Sequence, residues 1–186
     1  MKEIYYTIQK CKLGHILVSK TAKGICAIFF DNSVSDLKNH LQSRFPNDKI
    51  ILDNLNLEKE VTKIIQYVEN PKRKLNLALD IRGTPFQQKV WQALCEIPLG
   101  LTASYSEVAQ KIGLPKAARA VAQACANNAI AVLIPCHRVI RSDGAISGYR
   151  WGVKIKEYLL KAESCYAKAS QDKVAGLVLR RRAYSE

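Results

Sequence analysis

A cysteine directly followed by a histidine, Cys136-His137, is the feature of this 186-residue sequence best suited to chemistry. A thiolate is a nucleophile, and an imidazole beside it can take its proton. Neighbours on a regular strand point to opposite faces, so adjacency alone does not make a dyad. Pro135 interrupts strand pairing and predicts an irregular backbone that could turn both side chains into one pocket. A buried structural cysteine remains the alternative.

A carboxylate that could orient the histidine lies on a helix predicted from about 153 to 163. Ile155, Leu159 and Glu163 follow one another at intervals of four residues, which places Glu163 on an apolar face where a carboxylate needs a partner. With it, the cysteine and histidine would form a Cys-His-Glu relay. Exposure at a frayed helix end would explain the same position.

Two helices upstream have the spacing of a helix-turn-helix, with the first predicted over 105–112 and the second over 115–127 after a two-residue turn. On the second helix, the residues predicted to face inward are Ala118, Val121 and Cys125. The polar residues of its other face are Lys116, Arg119 and Gln123, with the small residues Ala117, Ala120 and Ala124. Such a helix could approach a DNA backbone closely, although an ordinary packed pair with a solvated face has the same pattern.

The charge of the chain favours a polyanionic partner, either nucleic acid or an acidic membrane surface. The formal net charge is +13, with 16 basic and 7 acidic residues in 81–186 against 13 and 9 in 1–80. The composition, 48% hydrophobic and 24% charged, excludes collagen-like, coiled-coil and mostly disordered chains. No apolar run approaches the roughly 18–20 residues of a membrane helix.

The six cysteines include no CxxC pair, and the three histidines do not make a zinc-finger pattern. The N-terminus lacks the apolar stretch of a signal peptide. We therefore expect free thiols, no metal, and a reducing, cytoplasmic location.

The N-terminal part predicts an α+β unit. Its three short strands, an antiparallel meander, are expected at 4–8, 15–19 and 25–30. Two helices follow, one capped near Ser33 or Ser35 and one over 58–68. The sequence 71–74 is the expected linker and 75–81 an extended stretch. The domain division is 1–80, 81–163, and a basic tail 164–186 expected to be partly mobile.

The motif Pro135-Cys136-His137-Arg138-Val139 resembles the active-site signature of the O6-alkylguanine-DNA alkyltransferases, also called methylated-DNA–protein-cysteine methyltransferases. The similarity runs from about Ile4 to Glu163. Within it, 79–84 and 147–152 look most like the repair half of the bacterial adaptive-response regulator, whose zinc-cysteine, transcription-activating half has no counterpart in these residues. The resemblance implies a ribonuclease-H-like N-terminal domain with an antiparallel sheet and helices. It implies a mainly α C-terminal domain with a winged-helix-like helix-turn-helix.

The resemblance also implies roles for individual residues. Cys136 would be the alkyl acceptor, His137 its water-bridged base, and Glu163 the carboxylate that orients the histidine. The second helix would enter the minor groove, with Arg119 filling the space left by a flipped guanine. The other residues implied on this DNA-binding face are Lys116, Ala120 and Gln123.

The residues that the resemblance implies around the flipped base are Tyr105, Asn128, Val139, Tyr149, Arg150 and Trp151. Tyr105 would assist flipping and bond the base, Asn128 would hold the turn before the active-site segment, and Tyr149 would form a wall. The Cys136 and Val139 carbonyls would accept hydrogen bonds from the base, and the Arg150 amide would donate to O6. Trp151 stands where some members have glycine, and we expect it to narrow the pocket rim.

The implied reaction is a direct displacement in which the thiolate takes the methyl carbon and guanine leaves. The thioether is stable, so each molecule acts once, without a cofactor. The implied partner is double-stranded DNA containing O6-alkylguanine, with O4-methylthymine as a second substrate, and the chain is expected to act as a monomer away from membranes. Some members hold a structural zinc, but Thr21 and Cys26 do not supply that ligand set.

Two other functions fit parts of the pattern. A non-catalytic protein could flip alkylguanine and recruit other repair, but related binding-only proteins lack the acceptor cysteine. A cysteine hydrolase with a Cys-His-Glu relay would turn over esters and would not need the basic surface.

Overall fold

A computed structural model of the chain describes residues 2–71, 75–146 and 148–165. Three of the four residues of the predicted linker, 72–74, and almost all of the predicted basic tail lie outside the described residues. Residues 164–165, assigned to that tail, instead continue a helix.

The N-terminal part is a four-stranded sheet with the order β3-β2-β1-β4. Its strands are β1 (Glu3–Cys11), β2 (Gly14–Thr21), β3 (Gly24–Asp31) and β4 (Lys49–Leu52). The predicted antiparallel meander of the first three is confirmed. Strand β4, which pairs parallel to β1, was not predicted, because four residues at a sheet edge carry little periodic signal.

Two helices pack beside this sheet. Helix α1 (Val34–Arg44) is capped by the Ser33 hydroxyl, which accepts from the Asp36 amide, as predicted. Helix α2 (Asn54–Glu69) begins four residues earlier than predicted, because Asp53 caps it. The buried residues of α2 are Leu57, Val61, Ile64 and Val68.

The C-terminal part is mainly helical. Its helices are α3 (Pro85–Cys95), α4 (Tyr105–Lys111), α5 (Ala118–Ala126) and α6, which is helical over 153–165. The capping boxes predicted at Thr84 and Ser104 are both present. Short strands β5 (Ala103–Ser104) and β6 (Val139–Ile140) pair in parallel beside the helix-turn-helix. These elements confirm the fold class expected from the sequence.

The second helix of the helix-turn-helix differs from its prediction. Helix α5 starts at Ala118 rather than Pro115, because a turn closed by the Ala117 amide and the Leu114 carbonyl precedes it. Lys116 therefore lies in the turn. Ala124, predicted on the outer face, is buried, and its carbonyl accepts from the Trp91 indole at 2.9 Å.

The outer edge of β3 joins the two parts. Ile25 pairs with the 78–80 segment, and Ile28 exchanges backbone hydrogen bonds with Ala129 and Ala131. Since Ala129 and Ala131 precede the Cys-His pair by only a few residues, the N-terminal sheet holds the segment that leads into the site. No helix among the described residues is long and apolar enough to span a membrane.

Candidate active site

Asn128 organises the loop that carries the cysteine. Its Oδ1 accepts from the Ile130 amide at 2.9 Å, and its Nδ2 donates to the Ile134 carbonyl at 2.8 Å and to Cys136 Sγ at 3.1 Å. Between these contacts Val132 has φ +70°, a left-handed conformation that a β-branched residue rarely adopts. A single buried amide therefore folds a strained loop and points a donor at the sulfur.

Cys136 begins a 3₁₀ turn, Cys136–Arg138, so the irregular backbone predicted after Pro135 is present. The cysteine is buried, with 6% of its surface exposed. Burial raises the pKa of its thiol, while the Asn128 hydrogen bond and the charge of Lys156 oppose that rise. The resting thiol is consequently protonated and requires a base to become a nucleophile.

His137 and Glu163 are in direct contact, as the helix spacing predicted. His137 Nε2 lies 2.8 Å from Glu163 Oε1, and both side chains are buried. Arg138, a partner not predicted from the sequence, holds the same carboxylate with two donors, Nε at 2.9 Å and Nη2 at 3.0 Å. The third Arg138 donor reaches the Ile97 carbonyl at 2.6 Å. The carboxylate is thus fixed from two sides.

This arrangement decides which histidine nitrogen carries the proton. Burial alone would raise the pKa of Glu163, but the hydrogen bonds from His137 and Arg138 lower it to about 2. An ionised carboxylate only accepts, so His137 Nε2 carries the hydrogen and Nδ1 keeps its lone pair. Nδ1 is buried and has no hydrogen-bond partner among the described residues. Burial lowers the pKa of His137, which keeps the ring neutral and able to accept a proton.

Lys156 is a second group that the sequence pattern did not indicate. It is fully buried on α6, and its Nζ donates to the Val139 carbonyl at 2.6 Å. Burial lowers the pKa of this amine, while the neighbouring Cys136 and Cys125 raise it. The sequence does not indicate that Lys156 is buried, because charged residues of a helix are normally exposed. Its burial results from the packing of α6 under the site.

A cavity of about 340 Å³ opens over the cysteine. Its lining residues are Tyr105, Ala122, Cys125, Ala126, Cys136, Gly148, Tyr149 and Arg150. The size lies within the range of small-ligand sites. Three of the predicted base-binding residues, Tyr105, Tyr149 and Arg150, are therefore brought to the cysteine. The α5 residues on this wall were not assigned to it from the sequence.

Asn128 and Val139 lie behind the cavity rather than on its wall. Val139 presents its carbonyl to Lys156, and Asn128 contacts the sulfur itself. Burial and the neighbouring Cys136 and Glu163 raise the pKa of the Tyr149 hydroxyl, so this wall residue stays protonated.

The expected position of Trp151 at the pocket rim is wrong. Trp151 is buried and stacks on Phe29 of β3 with ring centroids 4.7 Å apart, and it does not line the cavity. The large ring gains more from burial against the N-terminal sheet than from the rim. Its size is consequently no limit on the adducts that the cavity admits.

The predicted DNA-binding residues lie on the outside of the same helical pair. Lys116, Arg119, Ala120 and Gln123 are all exposed. Helix α5 thus presents this face to solvent while its Ala122, Cys125 and Ala126 line the cavity. A duplex on the outer face would lie beside the opening to Cys136.

The two residues considered for a metal site are engaged in other contacts. The Thr21 hydroxyl donates to Asp80 at 2.9 Å, and Cys26 Sγ contacts the Ser19 hydroxyl at 3.2 Å. Within the described ranges no group of three or more metal-ligating side chains converges. These residues do not fit the structural zinc of some alkyltransferases.

Two family models match the chain. Residues 4–81 match the ribonuclease-like domain of 6-O-methylguanine DNA methyltransferase, and residues 85–165 match the DNA-binding domain of the same proteins. The methylated-DNA–protein-cysteine methyltransferase of Methanosarcina mazei is 40% identical over 161 residues, covering 86% of this chain and 97% of that protein. The inducible enzyme of Bacillus subtilis is 36% identical, with coverages of 86% and 90%.

The bifunctional transcriptional activator/DNA repair enzyme Ada of Escherichia coli is 47% identical over 161 residues, and the match covers 87% of this chain. The chain spans about half the length of that relative, since the match covers 46% of it. Among solved structures, O6-methylguanine methyltransferase of Mycobacterium tuberculosis aligns with a TM-score of 0.74 at 32% identity, covering 87% of this chain and 93% of that one. The same organism's OGT in complex with DNA aligns at 0.70.

The buried cysteine, its histidine and all residues that line the cavity above them lie within the second matched region, residues 85–165. With relatives well above 30% identity along nearly their whole length, the chain belongs to the O6-methylguanine-DNA methyltransferase family.

Proposed function

We propose that this protein repairs DNA by transferring the alkyl group of O6-methylguanine irreversibly to Sγ of Cys136. The observation that carries the proposal is the position of Cys136. Its sulfur faces a base-sized cavity, receives a hydrogen bond from Asn128 at 3.1 Å, and precedes a histidine that is fixed by a buried carboxylate. Membership of the family supports the same reaction.

His137 serves as the base. Its Nδ1 holds the free lone pair, and the Cys136 proton reaches it directly or through a water molecule. The imidazolium that forms is stabilised by Glu163 at 2.8 Å. Asn128 and the Lys156 charge favour the thiolate over the thiol, and so they partly oppose the rise that burial causes in the pKa of Cys136.

The thiolate then attacks the alkyl carbon. An S–C bond forms, the C–O6 bond breaks, and its electron pair leaves on the guanine ring, which regains a proton. The S–C bond of the thioether persists, because a thiolate is a poor leaving group from an unactivated methyl carbon. Each molecule therefore acts once and requires no cofactor.

The target carbon is out of reach inside a stacked duplex, so the nucleotide must rotate out of the helix. We assign Arg119 to the gap left behind, and the exposed Lys116, Ala120 and Gln123 to the DNA surface. Tyr105, at the first turn of α4 and on the cavity wall, assists the rotation. The Cys136 carbonyl and the Arg150 amide bond the base and Tyr149 walls the cavity, whereas the Val139 carbonyl implied for the base lies behind the cavity and accepts from Lys156.

The proposal includes O4-methylthymine as a second substrate, a monomeric protein, and a reducing, cytoplasmic compartment. A free acceptor thiol is required for transfer, and all six cysteines are free in the structure. A monomer is sufficient for this reaction, because a single cavity in one chain holds the single base that reacts.

The test is to compare wild type with Cys136→Ala on a duplex containing one O6-methylguanine. The variant should bind the duplex with wild-type affinity and remove no methyl group. Equal affinity and equal absence of transfer in wild type would instead support the non-catalytic binding protein.

A further inference from the structure

We propose that the Arg150 side chain binds a phosphate of the flipped nucleotide, and that Phe29 of the N-terminal sheet positions it for this contact. The inference rests on the proposed function and assigns Arg150 a role beyond its backbone amide. It also assigns the N-terminal domain an indirect part in substrate binding, through Arg150.

The guanidinium of Arg150 is held by two aromatic rings. Its central carbon lies 5.0 Å from the Trp151 ring centroid and 5.8 Å from that of Phe29. The two rings stack on each other, and His40 of α1 meets the outer edge of Trp151 at 6.2 Å. The position of Arg150 is therefore set by residues from both domains.

Cation–π contacts of this kind leave the hydrogen-bond donors available, because the rings attract the charge of the guanidinium and accept no conventional hydrogen bond from it. Among the described residues Arg150 has no carboxylate partner, and its one hydrogen bond is a long contact from Nη1 to the Ala126 carbonyl at 3.5 Å. A planar fork of donors without a partner anion suits bidentate binding of a phosphate.

The position of Arg150 at the cavity opening indicates that the phosphate it binds belongs to the flipped nucleotide and not to the neighbouring DNA. Arg150 lines the same cavity as Cys136 and Tyr105, yet its side chain is exposed at the opening. A base inserted far enough to reach Cys136 leaves its sugar and phosphates at that opening. Arg44 of α1 carries a second positive charge near this opening, and its repulsion, after burial, lowers the pKa of Arg150.

The experiment compares two small substrates that differ only in phosphate. Single-turnover transfer rates are measured below saturation for O6-methyl-2′-deoxyguanosine and for its 3′,5′-bisphosphate, which carry no neighbouring DNA. Wild type should react with the bisphosphate about tenfold faster, as expected for one charge-assisted contact. In Arg150→Gln the ratio of the two rates should fall to about one.

The positioning role of Phe29 has its own readout. Phe29→Leu keeps an apolar side chain but removes the ring, so the ratio should fall while a merely structural defect would slow both substrates equally. Should thermal melting show that this variant is unfolded, Trp151→Leu removes the other ring. Arg141→Gln, which changes an exposed arginine paired with Asp143, should retain the wild-type ratio.

A wild-type ratio near one, or an undiminished ratio in Arg150→Gln, would overturn the inference. If the wild-type protein transferred no methyl group from either small substrate or from duplex DNA, the proposed function itself would be overturned.

Discussion

His137 donates a 2.8 Å hydrogen bond from Nε2 to Glu163 across 26 positions of the chain, and both side chains are buried. The same carboxylate receives two donors from Arg138, the next residue after His137. One buried carboxylate thus neutralises an arginine, selects the histidine tautomer and fastens α6 to the active-site turn.

Glu163→Gln should destabilise the protein by about 3–5 kcal/mol, because it leaves the Arg138 guanidinium buried without its counter-ion. Urea unfolding at neutral pH measures the change. The matched control is Asp143→Asn, which breaks an ion pair with Arg141 that is more than half exposed, and should cost at most about 1 kcal/mol. Equal losses of unfolding free energy in the two variants would contradict the larger contribution expected of the buried ion pair.

His137→Gln should slow methyl transfer most near neutral pH. In wild type the pKa of His137 is lowered by burial, so the rate should rise with pH through that lowered value and then level off. Without the base, the rate should follow the thiolate fraction of Cys136, whose pKa burial raises, and should continue to rise toward alkaline pH. Single-turnover rates across pH test this. Parallel profiles for the two proteins would contradict a base role for His137.

Asn128→Ala should both destabilise the loop and slow transfer. The change removes three hydrogen bonds around the strained Val132, and each buried group left unpaired costs about 1–3 kcal/mol. Asn127→Ala removes one hydrogen bond of the neighbouring residue to Gln123 and should cost about 1 kcal/mol or less. Denaturant unfolding and transfer rates are compared in both. Transfer unaffected in a folded Asn128→Ala protein would exclude the proposed support of the thiolate.

Arg119→Ala should lower the rate on duplex DNA relative to the rate on free O6-methylguanine by about tenfold or more, since an unfilled gap costs a few kcal/mol of stacking. The ratio of the two rates isolates DNA handling from chemistry. Lys111→Ala removes one positive charge from the adjacent helix α4, where the lysine pairs with Glu96, and serves as the control. If the ratio fell equally in both variants, Arg119 would contribute only its positive charge and would not fill the gap.

Local rules predicted the parts of the fold that depend on neighbouring residues. The capping boxes at Thr84 and Ser104 and the apolar spacing that ends at Glu163 are confirmed, because each is set within one or two helical turns. Strand β4 and the start of α5 at Ala118 were missed. The first depends on pairing with β1, which is distant in sequence, and the second on a turn that replaces the expected first helical turn.

The site shows the same division. Cys136 and His137 could be selected by type and adjacency, and the structure places Cys136 on the wall of the cavity. The buried Lys156, the Arg138–Glu163 contact and the α5 residues on the cavity wall depend on how α6 and α5 pack, which no periodicity encodes. The predicted position of Trp151 at the pocket rim was wrong for the same reason, because its burial depends on packing between distant parts of the chain. Its nearest partner, Phe29, is more than a hundred residues away in the chain.

The most direct test of the account is to locate the transferred methyl group. Trypsin leaves Cys125 and Cys136 together in the peptide 120–138, so fragment ions must distinguish two thiols that line one cavity. After incubation with an O6-methylguanine duplex, each molecule should carry one added methylene unit, on Cys136. An unmodified Cys136, or a methyl group on Cys125 instead, would contradict it.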